Sequence, residues 1–263
     1  MKRITLTLGI VFTMLISILW FEVSGSAAAR QGPYHFGFKK SVEGRLPSID
    51  QEGFKDILQK HGAIFLGDTN RKEIYLTFDN GYENGYTPQI MDVLKEKKVP
   101  AIFFLTGHYV KDQPELVKRM AAEGHLIGNH SWSHPDMTTL PAQRMKEELD
   151  MVKKAVAALT GEQKMVYTRP PRGIFDEKVL AENAACGYTN VLWSIAYKDW
   201  DTNEQKGADF AYSKVMNQLH PGAVILLHAV SKDNKEAMAR IIDGARAQGY
   251  EFKSLDQLQV KTY

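Results

Sequence analysis

Residues 74–105 of the chain read IYLTFDNGYENGYTPQIMDVLKEKKVPAIFFL. Two short runs of β-branched and aromatic residues, Ile74–Phe78 and Ala101–Leu105, flank a longer segment, Thr87–Lys98, in which apolar residues recur with a helical period. A strand, a helix and a second strand in this order are typical of two parallel strands joined by a crossover helix. This stretch therefore predicts an α/β protein with a parallel sheet.

The same alternation continues to the C-terminus. Further strands are predicted at Leu126–Asn129, Val166–Arg169, Thr189–Trp193 and Ala223–His228, with a weaker one near Tyr250–Phe252. Further helices are predicted at Pro114–Glu123, Pro141–Leu159, Asp176–Cys186, Gly207–Leu219 and Lys235–Gln248. Six or seven strands within about 190 residues, with no linker and no repeat, favour a single (β/α) barrel domain over residues 71–263. Residues 30–70 show little alternation apart from a short helix near Phe54–His61, and are predicted to wrap over the barrel.

The composition is that of a globular protein. Of the 263 residues, 44% are hydrophobic, and 33 Lys and Arg stand against 31 Asp and Glu. Disordered and collagen-like chains are excluded, because they have fewer apolar residues or far more Gly and Pro. The net charge of +2, spread without a basic run, gives no indication of nucleic-acid binding. The single cysteine cannot form an internal disulfide bond.

The N-terminus has the pattern of an export signal. Met1-Lys2-Arg3 precedes a mainly apolar run from Ile4 to Phe21, and Ala27-Ala28-Ala29 follows as a small-residue cleavage site. We predict cleavage after Ala29, which leaves a body without a membrane anchor. The alternative is an uncleaved anchor, because the apolar run approaches the length of a spanning helix. In either case the rest of the chain is predicted to lie outside the cytoplasm.

Ionisable side chains gather at the predicted carboxyl ends of the strands. They are Asp79 after the first strand, His130 after the third, Arg169 at the end of the fourth and His228 at the end of the sixth. Asp199 lies in the loop after the fifth strand. A histidine at a strand end is often only structural, but Asp199 could orient His228 as a proton donor. Because the carboxyl ends of barrel strands surround one mouth, we expect these groups to form one site.

The segment His130-Ser131-Trp132-Ser133-His134 places two imidazoles at positions i and i+4. On a helical turn this spacing puts both rings on one face, where they can bind one metal ion. Unrelated surface or capping histidines have the same spacing. The segment is not the metalloprotease motif, because Ser131 stands where that motif requires Glu. A third ligand would come from Asp79 or Asn80 at another strand end.

The other polar segments each have a structural and a chemical interpretation. Asp79-Asn80-Gly81 suits a turn, or it presents a general base. Arg169-Pro170-Pro171-Arg172-Gly173 suits a rigid loop, or it holds guanidinium groups and a backbone amide towards a carboxylate or an oxyanion. Trp132 and Trp200 either belong to the core or form an apolar wall for a sugar ring.

In chain order, five segments resemble the five motifs of the polysaccharide deacetylases, carbohydrate esterase family 4, also called the NodB homology domain. The segments are Thr77-Phe78-Asp79-Asn80, His130-Ser131-Trp132-Ser133-His134, Arg169-Pro170-Pro171-Arg172-Gly173, Asp199-Trp200 and Leu226-Leu227-His228. One such segment is a weak sign, whereas five in order are specific. The resemblance implies a distorted (β/α) barrel that removes acetyl groups from N-acetylated sugars, such as those of chitin or peptidoglycan.

The resemblance also implies an acid and a base. Asp79 would be the general base that deprotonates the attacking water, and Arg169 would keep Asp79 ionised. His228 would be the acid that protonates the leaving amine, and Asp199 would tune His228.

A divalent metal, usually zinc, is implied as well, with His130 and His134 as ligands. Such an ion polarises the acetyl carbonyl and lowers the pKa of water. Family members usually have Asp as the third ligand where this chain has Asn80. A neutral amide oxygen is a poorer donor, so we expect a lower metal affinity. The backbone N–H of Arg172 is implied to help stabilise the oxyanion.

Arg172 stands where the family usually has an aromatic residue. An added cation beside a sugar site suits a substrate with an anion that N-acetylglucosamine lacks. N-acetylmuramic acid has one, its lactyl carboxylate, when no peptide caps it, and we predict that Arg172 pairs with it. Together with Asn80 and export, this resembles the muramic acid deacetylases of spore-forming bacteria. The resemblance then implies peptide-free peptidoglycan glycan strands as substrate, muramic δ-lactam in the spore cortex as the later product, and a role in germination.

Three alternatives stay open. The first is a deacetylase of N-acetylglucosamine polymers of the chitin type. The second is a glycoside hydrolase that uses Asp79 and Asp199 as its carboxylate pair. The third is a non-catalytic wall-binding protein in which Asn80 marks a decayed site, although decay has no reason to leave a whole acid–base set in place.

Overall fold

The computed structural model describes residues 32–41, 46–49, 53–161 and 164–258. The predicted export signal, residues 1–29, lies outside these ranges. Within them, no helix is both long enough and apolar enough to cross a bilayer.

A curled parallel sheet forms the centre of the fold. The described strands are β1 (Tyr34–His35), β2 (Glu73–Asn80), β3 (Ala101–Leu105), β4 (Leu126–Asn129), β5 (Tyr167–Thr168), β6 (Ile174–Phe175), β7 (Thr189–Asn190), β8 (Val224–His228) and β9 (Glu251–Phe252). All except β1 and β6 belong to one sheet in the order β7-β5-β4-β3-β2-β8, with β9 paired to the start of β2. The apolar run of β2 is buried throughout, as expected for a central parallel strand.

Residues 191–195 close this sheet towards a barrel. At one end, the backbone N–H of Val191 donates to the carbonyl of Thr168 next to β7 at 2.8 Å. At the other end, Ile195 pairs in parallel with Ile225 of β8. The segment between is irregular, and β5 and β7 have two residues each, so the closure is distorted. The predicted distorted (β/α) architecture is confirmed.

The pleat of β2 sends successive side chains to opposite faces of the sheet. Tyr75 packs with Phe104 in a cluster inside the curl, whereas Phe78 packs on the outer face with the helices. By the same alternation, Asp79 lies on the face of Tyr75, inside the curl, and Asn80 lies on the face of Phe78, towards the helices. Two adjacent polar residues therefore leave β2 in different directions.

Helices cover the outside of the sheet. They are α1 (Phe54–Lys60), α2 (Thr87–Glu96), α3 (Gly107–Asp112), α4 (Pro114–Ala122), α5 (Ala142–Thr160), α6 (Glu177–Ala185), α7 (Ala208–Met216) and α8 (Lys232–Ala247). α8 packs against α7 and α2, and α5 packs against α3, α4 and α6. Every predicted strand and helix is present, with ends within three residues of those predicted. The sequence analysis did not predict α3, which is too short to show a period.

The segment before the sheet packs on its mouth. β1 pairs antiparallel with β6, so that Tyr34 lies opposite Phe175. Phe36 is fully buried, and the indole N–H of Trp193 donates to the carbonyl of Gly37 at 2.9 Å. These contacts bring Phe38 to the edge of the mouth. The division into a wrap over residues 30–70 and a domain over residues 71–263 stays a prediction.

Candidate active site

A cleft of about 1020 Å³ opens at the carboxyl ends of the strands. Seven of the residues predicted from the sequence line it, namely Asp79, His130, Trp132, His134, Arg172, Trp200 and His228. Arg169 and Asp199 are buried directly behind the lining residues. Asn80 is also buried but does not line the cleft. The expected site is thus assembled at one mouth, with Asn80 set apart from it.

Arg169 and Asp79 form a buried ion pair. Arg169 Nη1 donates to Asp79 Oδ1 at 2.7 Å. The rest of the guanidinium donates to the carbonyls of Val191 and Leu192, at 3.0 and 3.2 Å, in the segment that closes the barrel. Burial would raise the pKa of Asp79, but the charge of Arg169, followed by His130, lowers it below its ordinary value. Asp79 is therefore a carboxylate near neutral pH, and its Oδ2 is not bound by Arg169.

His130 points its Nε2 at this carboxylate. Its Nδ1–H donates to the carbonyl of Arg169 at 2.8 Å, and its Nε2 lies 3.4 Å from Asp79 Oδ2. A histidine whose Nδ1 is held by a carbonyl presents Nε2 as an acceptor or metal ligand. Burial lowers the pKa of His130 and outweighs the opposing effect of Asp79, so the ring is neutral.

His134 lies beside His130, with ring centroids 4.9 Å apart. The expectation of a helical turn is wrong here: the segment is an irregular loop in which Ser131 and His134 have positive φ angles of 66° and 57°. The loop is turned by its own hydrogen bond, because the backbone N–H of His134 donates to Ser131 Oγ at 3.1 Å. Burial, followed by the unfavourable effect that protonating both neighbouring rings would have, lowers the pKa of His134 to about 4. Both rings are therefore neutral and able to donate a lone pair to a cation.

A buried carboxylate holds this loop from behind. Glu148 of α5 accepts the backbone N–H of Ser133 at 2.7 Å and the hydroxyl of Ser133 at 2.8 Å. Arg144 donates to the same carboxylate at 2.8 Å. Glu148 was not predicted as a site residue, although a carboxylate on the apolar stripe of α5, next to Met145 and Leu149, indicates a buried partner.

His228 is held by a second buried carboxylate. Asp199 accepts the Nδ1–H of His228 at 2.7 Å and its backbone N–H at 2.8 Å. Asn234 of α8 donates to the same carboxylate at 2.6 Å, and Tyr197 donates to Asn234 Oδ1. Burial would lower the pKa of His228, but the charge and hydrogen bond of Asp199 raise it above its ordinary value. Asn234 was not predicted from the sequence, because an asparagine in the first turn of a helix is common and does not indicate a buried partner.

Asn80 is buried beside α2. Its amide nitrogen lies 3.4 Å from the hydroxyl of Thr87, which itself donates to Glu83. Its Oδ1 is buried and accepts no hydrogen bond from any residue that the structure describes. A buried carbonyl oxygen without a donor is usually satisfied by water or a cation. The two neutral imidazoles of His130 and His134 line the cleft together and fit a divalent cation, whereas Asn80 faces Thr87 and does not line the cleft with them.

Arg172 and four aromatic side chains form the rim of the cleft. Arg172 has a positive φ of 59°, is exposed, and forms no hydrogen bond or ion pair with any described residue. Trp200 is 43% exposed and stacks on Phe38 with ring centroids 6.0 Å apart. Trp132, in the loop after β4, and Tyr82, in the loop after β2, also line the cleft. The sequence analysis missed Phe38 and Tyr82, because exposed aromatics carry no periodic signal.

Known proteins match most of the chain. The family model for polysaccharide deacetylases matches residues 66–191. The peptidoglycan-N-acetylmuramic acid deacetylase PdaA of Bacillus subtilis is 50% identical over 240 residues, which cover 90% of this chain and 91% of that protein. The solved structure of the B. subtilis protein, a family 4 carbohydrate esterase, matches with a TM-score of 0.84 and 51% identity, over 87% of this chain and 97% of that one.

A more distant relative carries a different substrate name. The chitooligosaccharide deacetylase of a Bradyrhizobium species is 35% identical over 201 residues, which cover 71% of this chain and 90% of that protein. The similarity therefore extends to proteins whose names give two different substrates.

Proposed function

Since the chain belongs to the polysaccharide deacetylase family, carbohydrate esterase family 4, we propose that it hydrolyses the acetyl amide of N-acetylmuramic acid residues in peptidoglycan glycan strands. The observation that carries this substrate is Arg172, whose guanidinium lines the cleft without a partner among the described residues. Guanidinium groups bind carboxylates in two-point geometry, and the lactyl group supplies one. The name of the B. subtilis relative points to the same sugar.

The reaction uses Asp79 and His228 as base and acid. Asp79, kept ionised by Arg169, accepts a proton from water as the water oxygen adds to the acetyl carbonyl carbon. His228, kept protonated by Asp199, donates its Nε2 proton to the sugar nitrogen as the C–N bond breaks. Acetate and a free amine leave. The backbone N–H of Arg172 helps to stabilise the oxyanion that precedes this step.

Deacetylases of this family are generally metal-dependent. His130 and His134 would hold a divalent cation, and the two imidazoles favour zinc. Asn80 would supply a weak third ligand only if its side chain turned from Thr87 towards them. A bound cation supplies polarisation of the acetyl carbonyl and a lower pKa for water. Among the described residues, no three His, Cys, Asp or Glu side chains form a metal-binding group.

The setting that follows is the cell wall outside the cytoplasm. The proposed substrate and the N-terminal sequence both indicate this location, since peptidoglycan is assembled beyond the membrane and residues 1–29 have the pattern of an export signal. Removing the acetyl group places a free amine beside the lactyl carboxylate of the same sugar. That pair is the precursor of a muramic δ-lactam, and we place the protein in spore cortex maturation and germination.

The geometry disfavours the glycoside hydrolase alternative. Both oxygens of Asp199 accept hydrogen bonds from His228 and Asn234, and Asp199 does not line the cleft. Only one carboxylate of the required pair, Asp79, therefore faces a substrate. A wall-binding protein would not need the buried ion pair and the second carboxylate, which act on Asp79 and His228 alone.

Acetate release by the purified protein tests the proposal. The substrates are glycan strands without stem peptides, the same strands with peptides, and chitooligosaccharides, each with chelator and with added zinc. We expect acetate mainly from the peptide-free strands, a loss with chelator and a recovery with zinc. Equal release from chitooligosaccharides would overturn the muramic specificity, and shortened glycans without acetate would support the hydrolase alternative.

A further inference from the structure

A second cavity of about 530 Å³ lies next to the active-site cleft. Phe38 lines both cavities, so the stacked pair of Phe38 and Trp200 separates them at the surface. The volume is within the range of about 300–1,000 Å³ that small-ligand sites occupy. We call this cavity the lysine groove, after Lys40, Lys198, Lys206 and Lys214 in its lining.

The lysine groove carries uncompensated positive charge. Its one acidic lining residue, Glu204, is paired with Lys198 at 2.9 Å. Lys206 and Lys214 form no ion pair with any residue that the structure describes. Their Nζ atoms each lie 5.0 Å from the ring centroid of Phe210, and so at most about 10 Å from each other. Two like charges within about 10 Å of each other repel, and an anion bound near both would reduce that repulsion.

Gln218 contributes a buried amide to the wall of the lysine groove. Gln218 lines the lysine groove and is only 8% exposed. Its Nε2 donates to the carbonyl of Lys214 at 2.6 Å, whereas its Oε1 is buried and accepts no hydrogen bond from the described residues. Because this oxygen has almost no accessible surface, the groove presents the positive charge of Lys206 and Lys214 to a ligand, and not this acceptor.

We propose that the lysine groove is a second glycan subsite that binds the lactyl carboxylate of a neighbouring muramic acid in the same strand. The inference rests on the proposed function, and it adds that substrate length matters. Muramic acid alternates with glucosamine along the strand, so a strand whose acetyl group lies at His228 passes Trp200 and Phe38 before its next carboxylate. The aromatic pair gives that intervening stretch an apolar surface.

The test compares long and short substrates in a variant whose groove lacks Lys206 and Lys214. We would measure kcat and KM of the full-length protein and of the double variant K206A/K214A on peptide-free glycan strands and on the single disaccharide. The matched control, K118A/K154A, removes two lysines from α4 and α5. We expect the KM for long strands to rise about tenfold in K206A/K214A, as for lost hydrogen bonds to a charged group, with kcat and the disaccharide values unchanged. The control is expected to behave as the natural protein does.

Salt and direct binding complete the design. Sodium chloride should raise the KM for long strands more in the natural protein than in K206A/K214A, which keeps the contact of Arg172 but not those of the two lysines. A KM change that is equal on long strands and on the disaccharide, or no change at all, overturns the inference. A larger lysine dependence on strands that keep their stem peptides also overturns it, because the carboxylate would then belong to the peptide. Calorimetric binding of long strands is measured in parallel, so the lysine groove is still tested if no acetate is released and the proposed function fails.

Discussion

Asp199 contacts His228 twice, through the Nδ1–H at 2.7 Å and through the backbone N–H at 2.8 Å. The first contact fixes the tautomer and leaves Nε2 for the cleft, and the second fixes the position of the ring relative to the end of β8. The same carboxylate raises the pKa of His228 against the effect of burial. Asp199 thus determines both the orientation and the protonation of His228, the proposed acid.

Asp199→Asn should lower the pH above which kcat falls. An acid with a raised pKa stays protonated until the pH passes that pKa, and activity falls above it. Without the charge of Asp199 the pKa of His228 drops, so the fall should begin about one to two pH units lower, the equivalent of a charged hydrogen bond. The measurement is kcat against pH. Asp243→Asn, which removes an exposed carboxylate paired with Lys97, is the control.

Asn234→Asp should raise the pH above which kcat falls. The new carboxylate would lie within hydrogen-bond distance of Asp199, where the amide nitrogen now lies at 2.6 Å. A closely spaced pair of carboxylates adds negative charge as it titrates, which raises the pKa of His228 further. The alkaline fall of kcat should therefore begin at a higher pH. A uniform loss of activity without a shift would show that Asn234 only supports the packing.

Arg169→Met should destabilise the protein through Asp79. The buried carboxylate would lose its partner, which costs about 3–5 kcal/mol of unfolding free energy. The lowered pKa of Asp79 now contributes stability that is present above the pKa of the unfolded chain and is lost as the pH falls through the folded value. In the variant, burial raises the pKa of Asp79 instead, so the acidic limb of kcat should move to higher pH.

Urea unfolding at several pH values measures this cost. The double variant Arg169→Met, Asp79→Asn removes both charges and should regain part of the lost stability. If the double variant is no more stable than the single one, Arg169 acts by packing against Phe104, which lies 4.2 Å from its guanidinium carbon, and not by its charge.

The architecture was predictable because the parallel sheet is buried and its strands read as apolar runs separated by helical periods. The same reasoning brought Asp79, His130 and His228 to one mouth, since each follows a strand. The conformation of the loop between His130 and His134 was not predictable. Its turn depends on the hydroxyl of Ser131 and on Glu148, a residue of α5 that no local pattern connects with the loop.

Contacts between residues that lie far apart in the sequence could not be predicted either. Phe38 arrives at the cleft because β1 pairs with β6, a contact across about 140 residues that involves only two residues on each side. Asn80 was placed by its motif, yet the pleat of β2 turns it towards Thr87 and away from the cleft. Spacing along the chain predicts which strand end a residue occupies, and the pleat then determines the face.

Glu148→Gln should weaken metal binding without unfolding the protein. Residues behind a metal ligand commonly contribute about 10–100-fold to affinity or activity, and Glu148 fixes the loop that carries His134 through both groups of Ser133. Zinc affinity by competition with a chelating dye measures the effect, with the thermal midpoint as a check on folding. Glu147→Gln changes the exposed neighbour, which also contacts Arg144, and should leave zinc affinity as it is. Equal affinities in the two variants would remove Glu148 from the site.

Arg172→Gln should reduce the preference for muramic acid. The lost charged hydrogen bonds predict a decrease of about 10–100-fold in kcat/KM for peptide-free muramic residues, with little change for N-acetylglucosamine residues. Arg172→Lys keeps the charge but not the two-point geometry, so its kcat/KM for muramic residues should lie between those of the natural protein and of Arg172→Gln. Because Arg172 has a positive φ that disfavours most side chains, Arg172→Gly should relieve backbone strain and raise the thermal midpoint while losing the preference. An unchanged ratio of the two kcat/KM values in Arg172→Gln would separate this residue from the lactyl carboxylate.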